Sequence, residues 1–206
     1  MSRATLVGLA LAFLTAQTVL ADSPDDTRAA IYQSYAFERT GNIDQAMAVL
    51  AHVAATPGDY LITIRLGWLN YLRGNYTDSA AYYGKAKQII PTSLEADLGR
   101  LNALMAQNRL DEAAGVAQSV VSVDHFNYYG NLHLARIMRL QGKLEAAERI
   151  CSDMLAIEPL DVTFLTELGL DKQARNDHGA TAVFARVLLL DPENSVAKGA
   201  LPASAR

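Results

Sequence analysis

A turn residue, a short variable stretch and a closing small residue recur every 33 or 34 residues along this chain, and that period constrains the fold more than any other feature. The copies are Gly41-Asn42-Ile43-Asp44-Gln45-Ala46, Gly74-Asn75-Tyr76-Thr77-Asp78-Ser79, Asn108-Arg109-Leu110-Asp111-Glu112-Ala113, Gly142-Lys143-Leu144-Glu145-Ala146-Ala147 and Arg175-Asn176-Asp177-His178-Gly179-Ala180. A unit of this length holds two helices and a turn but is too short to enclose a core. Its apolar face is buried only by stacking on the next unit. The sequence therefore predicts an all-α chain of about five stacked antiparallel helix pairs.

In each unit helix A precedes the turn and helix B follows it. In the second unit helix A runs from Tyr60 to Leu72, the turn is Arg73-Gly74-Asn75, and helix B runs from Tyr76 to Ile89. Pro91 then ends the unit, since proline cannot continue a helix. Pro159 and Pro192 fill the same slot later, His125 fills it in the third unit, and Pro57-Gly58 lie near it in the first.

Leu66-Gly67 with Gly74, Ser79, Tyr83, Ala86 and Pro91, then Leu134-Ala135 with Gly142, Ala147 and Pro159, then Ala180, Phe184 and Pro192, together resemble the tetratricopeptide repeat. Small residues at two positions let helices A and B approach, an aromatic fills the gap between units, and proline ends helix B. The third unit departs from the pattern, with Leu101 where a small residue is usual and Gly99 two residues earlier. The fifth places Leu168-Gly169 one residue late. The resemblance implies a right-handed superhelix with repeats at 27–59, 60–93, 94–127, 128–160 and 161–194, capped by 195–206.

Residues 1–21 read as a secretory signal peptide, with Arg3 as its positive start, an apolar run from Ala4 to Leu14, and Val19-Leu20-Ala21 before an acidic stretch. Cleavage is expected after Ala21, leaving 22–206 as the solenoid domain in the periplasm or outside the cell. Thr15, Gln17 and Thr18 interrupt the run too early for a membrane span, so no stable insertion is expected after cleavage. With a formal net charge of −4 and no basic run, nucleic acid is not an expected partner. The single cysteine cannot form an internal disulfide, so packing alone must hold the fold.

The resemblance implies that helix A faces line the concave side. This places Tyr32 and Tyr35 there from the first unit, and Arg65, Trp68 and Tyr71 from the second. Asn102 and Met105 follow in the third, Tyr129, His133, Arg136 and Arg139 in the fourth, and Lys172 in the fifth. Aromatics and arginines are the side chains that most often anchor a partner. Arg136 and Arg139 share one helical face, so an acidic or carboxylate-bearing segment is the expected ligand. The competing expectation is that these arginines pair with carboxylates such as Glu95 or Glu167 and that the aromatics pack against neighbouring helices. Tetratricopeptide co-chaperones grip a terminal carboxylate with Lys, Asn and Arg at fixed positions, where this chain has Ile31, Tyr35 and Arg65.

Chemistry leaves little trace. His52, His125, His133 and His178 lie in separate units and match no zinc motif, so neither metal nor cofactor is expected. Cys151 occupies the aromatic slot as a small buried residue. No phosphate loop, dinucleotide fingerprint or serine elbow occurs. The sequence thus points to a non-enzymatic exported scaffold that binds a protein segment along its concave face in cell-envelope assembly or secretion. The alternatives are a self-associating assembly protein, built through apolar ends such as Leu188-Leu189-Leu190, and an enzyme with an unrecognised site.

Overall fold

The computed structural model describes residues 24–53 and 58–201, so the expected leader at 1–21 lies outside the described residues. Among the described residues there are eleven helices and no strand. They are α1 (Pro24–Arg39), α2 (Ile43–Val53), α3 (Tyr60–Leu72), α4 (Tyr76–Ile89), α5 (Leu94–Ala106), α6 (Leu110–Val123), α7 (Tyr128–Leu140), α8 (Leu144–Ile157), α9 (Val162–Ala174), α10 (Gly179–Leu190) and α11 (Ser195–Ala200). The helices α1, α3, α5, α7 and α9 are the A helices, and each packs against the B helix that follows it. None of the eleven is long and apolar enough to cross a membrane.

A polar residue starts the helix after each of the last four unit boundaries and the one after Gly58. Asp59, Ser93, Asn127, Asp161 and Asn194 accept from the backbone N–H groups of Ile62, Ala96, Gly130, Phe164 and Ala197. Each cap satisfies a donor that the first turn leaves free, worth about 1 kcal/mol. The caps are also tied across units. The Tyr60 hydroxyl lies 2.6 Å from Ser93 Oγ, and the Tyr128 hydroxyl donates to Asp161 at 3.4 Å. Helix B starts at Asn75, Arg109, Lys143 and His178 have no side-chain cap, because the tight A-to-B turn already fixes their direction.

That turn needs one left-handed residue. Gly41, Gly74, Asn108, Gly142 and Asn176 take φ values of 76°, 83°, 57°, 73° and 58°. Asparagine is the side chain that best tolerates this region after glycine. In the last unit the turn residue is Asn176, where the repeat alignment had placed Arg175. The turn therefore lies one residue nearer Ala180 than its counterparts lie to their small residues, and α10 starts late, at Gly179, whose N–H donates to Asp177 Oδ1 at 2.8 Å.

Three positions of every B helix form the core. Ala46, Ser79, Ala113, Ala147 and Ala180 are buried, as are Leu50, Tyr83, Ala117, Cys151 and Phe184 one turn later. The third set is Val53, Ala86, Val120, Met154 and Val187. Spacings of four and three put all three on one face of the helix. The middle position varies most in size, and the A helices compensate. Tyr83 is sandwiched by Gly67 and Gly99, and Phe184 faces Gly169, where an added Cβ would lie 2.6 Å from the ring. Ala117 is small, and the fully buried Leu101 shares its cluster. The departures at Leu101, Gly99 and Gly169 therefore reflect matched volumes. Beyond α10, Ala197 of α11 and Leu201 bury the end of the last unit against Ala180, Phe184 and Val187.

Candidate functional site

A groove of about 460 Å³ opens along α1 and α3 and is closed by Tyr83 of α4 and Glu95 of α5. Its lining includes Tyr35, Glu38, Leu61, Arg65 and Trp68. These meet because residues near one period apart face each other on adjacent A helices. Arg65 is only 5 % exposed, and among the described residues its Nε and Nη1 have side-chain partners while its buried Nη2 has none. Its Nε donates to Ser34 Oγ at 2.9 Å, its Nη1 is ion-paired with Glu38, and its guanidinium stacks 3.8 Å from the centre of the Tyr35 ring. Trp68 Nε1 donates to Glu38 Oε1 at 2.8 Å, and the indole stacks on Tyr71 with ring centres 5.9 Å apart. The buried arginine thus fixes a floor, while Tyr35, Leu61 and Trp68 remain exposed above it.

The second arginine pair lies on α7 and faces α9. Arg136 Nε donates to Glu167 Oε1 at 2.6 Å. Arg139 Nη1 sits 2.7 Å from Glu167 Oε2 and donates to Asp171 Oδ1 at 2.9 Å. Both carboxylates are buried. Burial pushes the Asp171 carboxyl above its ordinary range despite the pull of Arg139. The expectation of an acidic partner rested on free guanidinium charge, and here that charge is matched within the protein. Next to this network His133 is half-buried. Burial, with Arg136 adding, holds its imidazole below the usual value.

The remaining candidates are dispersed. Met105 packs partly into the central core and Asn102 is half-buried. Tyr129 is exposed, with its ring edge-on to Tyr128. Lys172, on α9 and not in the groove lining, is tied to Glu148 of α8 at 2.7 Å and to Asp177 at 3.0 Å. Glu38, Leu61 and Glu95 belong to the groove, although the sequence reading did not place them in it. The signal for Glu38 was its separation from Trp68, which is just under one period and pairs adjacent A helices in the same way as Arg136 with Glu167.

Among the described residues no three His, Cys, Asp or Glu side chains come together to hold a metal ion. Cys151 is fully buried and its Sγ donates to Asp171 Oδ2 at 3.4 Å. Burial, with the Asp171 charge adding, pushes its thiol well above the ordinary range. Iodoacetamide is therefore expected to leave the native protein unlabelled and to modify it fully in denaturant, as read by mass spectrometry. Rapid native labelling would show that α8 and α9 separate readily.

Residues 96–161 match the family model for the tetratricopeptide repeat. That stretch carries tetratricopeptide repeats. A comparison with curated proteins gave no match. Similar solved structures include MamA from Desulfovibrio magneticus RS-1, at 18% identity and a TM-score of 0.75 over 83% of this chain and 98% of that one. YrrB, a tetratricopeptide protein described as having an unusual peptide-binding site, aligns at 11% identity and 0.70 over 86% and 93%. A tetratricopeptide repeat protein from Parabacteroides merdae ATCC 43184 aligns at 13% identity and 0.77 over 85% and 70%. The tetratricopeptide fold thus extends well beyond the two units that the family model matches.

Proposed function

We propose that this protein is a non-enzymatic, exported scaffold that holds a peptide or protein segment along its helix A face and works in cell-envelope assembly or secretion. The observation that carries the binding site is the groove over Arg65. It offers exposed Tyr35, Leu61 and Trp68 on a floor held rigid by ion pairing and stacking, and preorganised aromatic surface is what makes a binding hot spot. The tetratricopeptide fold supports an interaction role, and the peptide-binding site named for YrrB supports a peptide as the ligand. Export rests on residues 1–21, whose pattern is that of a cleaved leader.

Cross-linking capture from an envelope extract, run beside a Tyr35→Ala/Trp68→Ala variant, tests this reading. Loss of the captured partner is expected with helicity kept and stability lowered by about 1–2 kcal/mol, since Trp68 is 38 % exposed and both side chains lie above the core. Capture unchanged by the variant would move binding to another face. Self-association is favoured by one observation, the exposed apolar residues Val123, Phe126, Leu160 and Leu189 at repeat ends and on α10. Light scattering over a concentration range decides it, because a mass independent of concentration rules it out.

A further inference from the structure

The charges around the groove do not balance. Among the described residues that line it the only cation is Arg65, whose guanidinium pairs with Glu38, donates to Ser34 and lies on the face of Tyr35, with only the buried Nη2 left unpartnered. Glu38 is consumed in turn, by Arg65 and by the indole N–H of Trp68. Glu95 is left over. It is exposed, and among the described residues its one side-chain hydrogen-bond partner is the neutral hydroxyl of Tyr60, which donates at 3.2 Å. Burial, with the Glu95 charge adding, pushes the Tyr83 hydroxyl at the groove wall up to about 12. The groove therefore presents a net negative field beside exposed aromatic and aliphatic surface.

We propose that this groove selects an apolar segment bearing a lysine or arginine side chain, whose cationic head pairs with Glu95 while its stem lies across Leu61 and Trp68. The inference rests on the groove reading and reverses the sign of partner charge that the sequence suggested. A cation gains there twice, once from the carboxylate and once from the negative faces of the indole and phenol rings. An acidic segment meets the opposite, because the Arg65 charge is already paired with Glu38, its unpartnered Nη2 is buried, and the approaching carboxylate faces Glu95. The Lys or Arg stem adds apolar contact that a short Asp or Glu side chain cannot supply.

Selection of short random peptides displayed on phage against the immobilised full chain tests the charge and the groove separately. Selected peptides are expected to be rich in apolar residues with Lys or Arg and poor in Asp and Glu, and to bind less tightly as salt rises. The best of them, made synthetically, is expected to bind about tenfold or more weakly to a Glu95→Lys variant, for which selection should turn toward acidic peptides. Glu95 is exposed and among the described residues its only side-chain bond is to the half-buried Tyr60, so the variant should stay folded, with a melting temperature lowered only slightly by the lost acid in the first turn of α5. Acidic peptides selected by the native chain, or an affinity unmoved by Glu95→Lys, would overturn the charge inference while leaving the groove standing. Peptides whose binding survives Tyr35→Ala/Trp68→Ala would instead remove the groove and the charge inference together.

Discussion

Replacing Arg139 with alanine is expected to lower folding stability by about 3–5 kcal/mol, because it leaves Asp171 ionised at 0 % exposure without its counter-charge. Units in a solenoid touch only their neighbours, so the loss should concentrate in α7 to α11 and appear as a separate low-temperature step in thermal unfolding. The pH dependence carries a sign that identifies the cause. Burial already raises the Asp171 carboxyl in the folded protein, and removing Arg139 takes away the main opposing pull. A carboxyl whose folded value lies above its unfolded one contributes stability below the unfolded value and loses it as pH rises through the folded one. The variant should therefore regain stability as pH falls from neutral toward the carboxylate range, where Asp171 takes up a proton. A simple loss of packing would show no such recovery. Exchanging the pair for apolar side chains, Arg139→Met with Asp171→Leu, should cost much less than Arg139→Ala, since no unpaired Asp171 charge is left and Glu167 keeps Arg136 although it loses Arg139.

A Gly99→Ala substitution is expected to cost about 3 kcal/mol or more, the second large effect. The added Cβ would sit 2.2 Å from Tyr83 Cε1. The ring cannot retreat, because the opposite side is held by Gly67, where a Cβ would already lie 3.1 Å from Cε2. Overpacking of this kind forces backbone shifts or strained rotamers, here between α4 and α5. Gly67→Ala should be far milder, since a shift of a few tenths of an ångström suffices and the better helix propensity offsets about 1 kcal/mol. In a Tyr83→Ala background Gly99→Ala should become neutral or slightly stabilising, and urea unfolding of the four proteins gives the coupling directly. Additive losses would mean that Tyr83 does not define the space at Gly99.

The repeat class was legible because it needs only local facts. Each unit carries a small residue in helix B and a left-handed turn residue, all but the third add a proline at or near the unit's end, and the period repeats them until chance is no explanation. Another regular signal was present but went unread. Asp59, Ser93, Asn127, Asp161 and Asn194 mark five helix starts at nearly constant spacing, and each caps its helix. The one-residue misplacement of the last turn arose because Asn176 rather than a glycine adopts positive φ, one residue nearer Ala180 than the period predicts, and α10 starts late.

The candidate site was legible only as a set of positions. Sequence order places Arg65, Trp68, Arg136 and Arg139 on A helices, and the helix period puts them on corresponding faces. It does not say which charges meet. Arg65 pairs with Glu38 of the preceding unit, whereas Arg136 and Arg139 pair with Glu167 and Asp171 of the following one. The same residue type at similar positions thus reaches in opposite directions along the solenoid. That choice depends on which neighbour offers a carboxylate at hydrogen-bonding distance, a fact about facing surfaces and not about either helix alone.

The sequence by itself determined that this protein is a stack of helix pairs, because turn geometry, helix propensity and the burial period are local properties that recur in register. Only the tertiary structure decided that the α7 arginines are spent on buried carboxylates and that Tyr83 needs the space at Gly99. It also decided that the groove over Arg65 keeps one unmatched charge at Glu95. Those outcomes depend on volumes and distances between residues about one period apart, and a linear pattern does not carry distance across a packed interface.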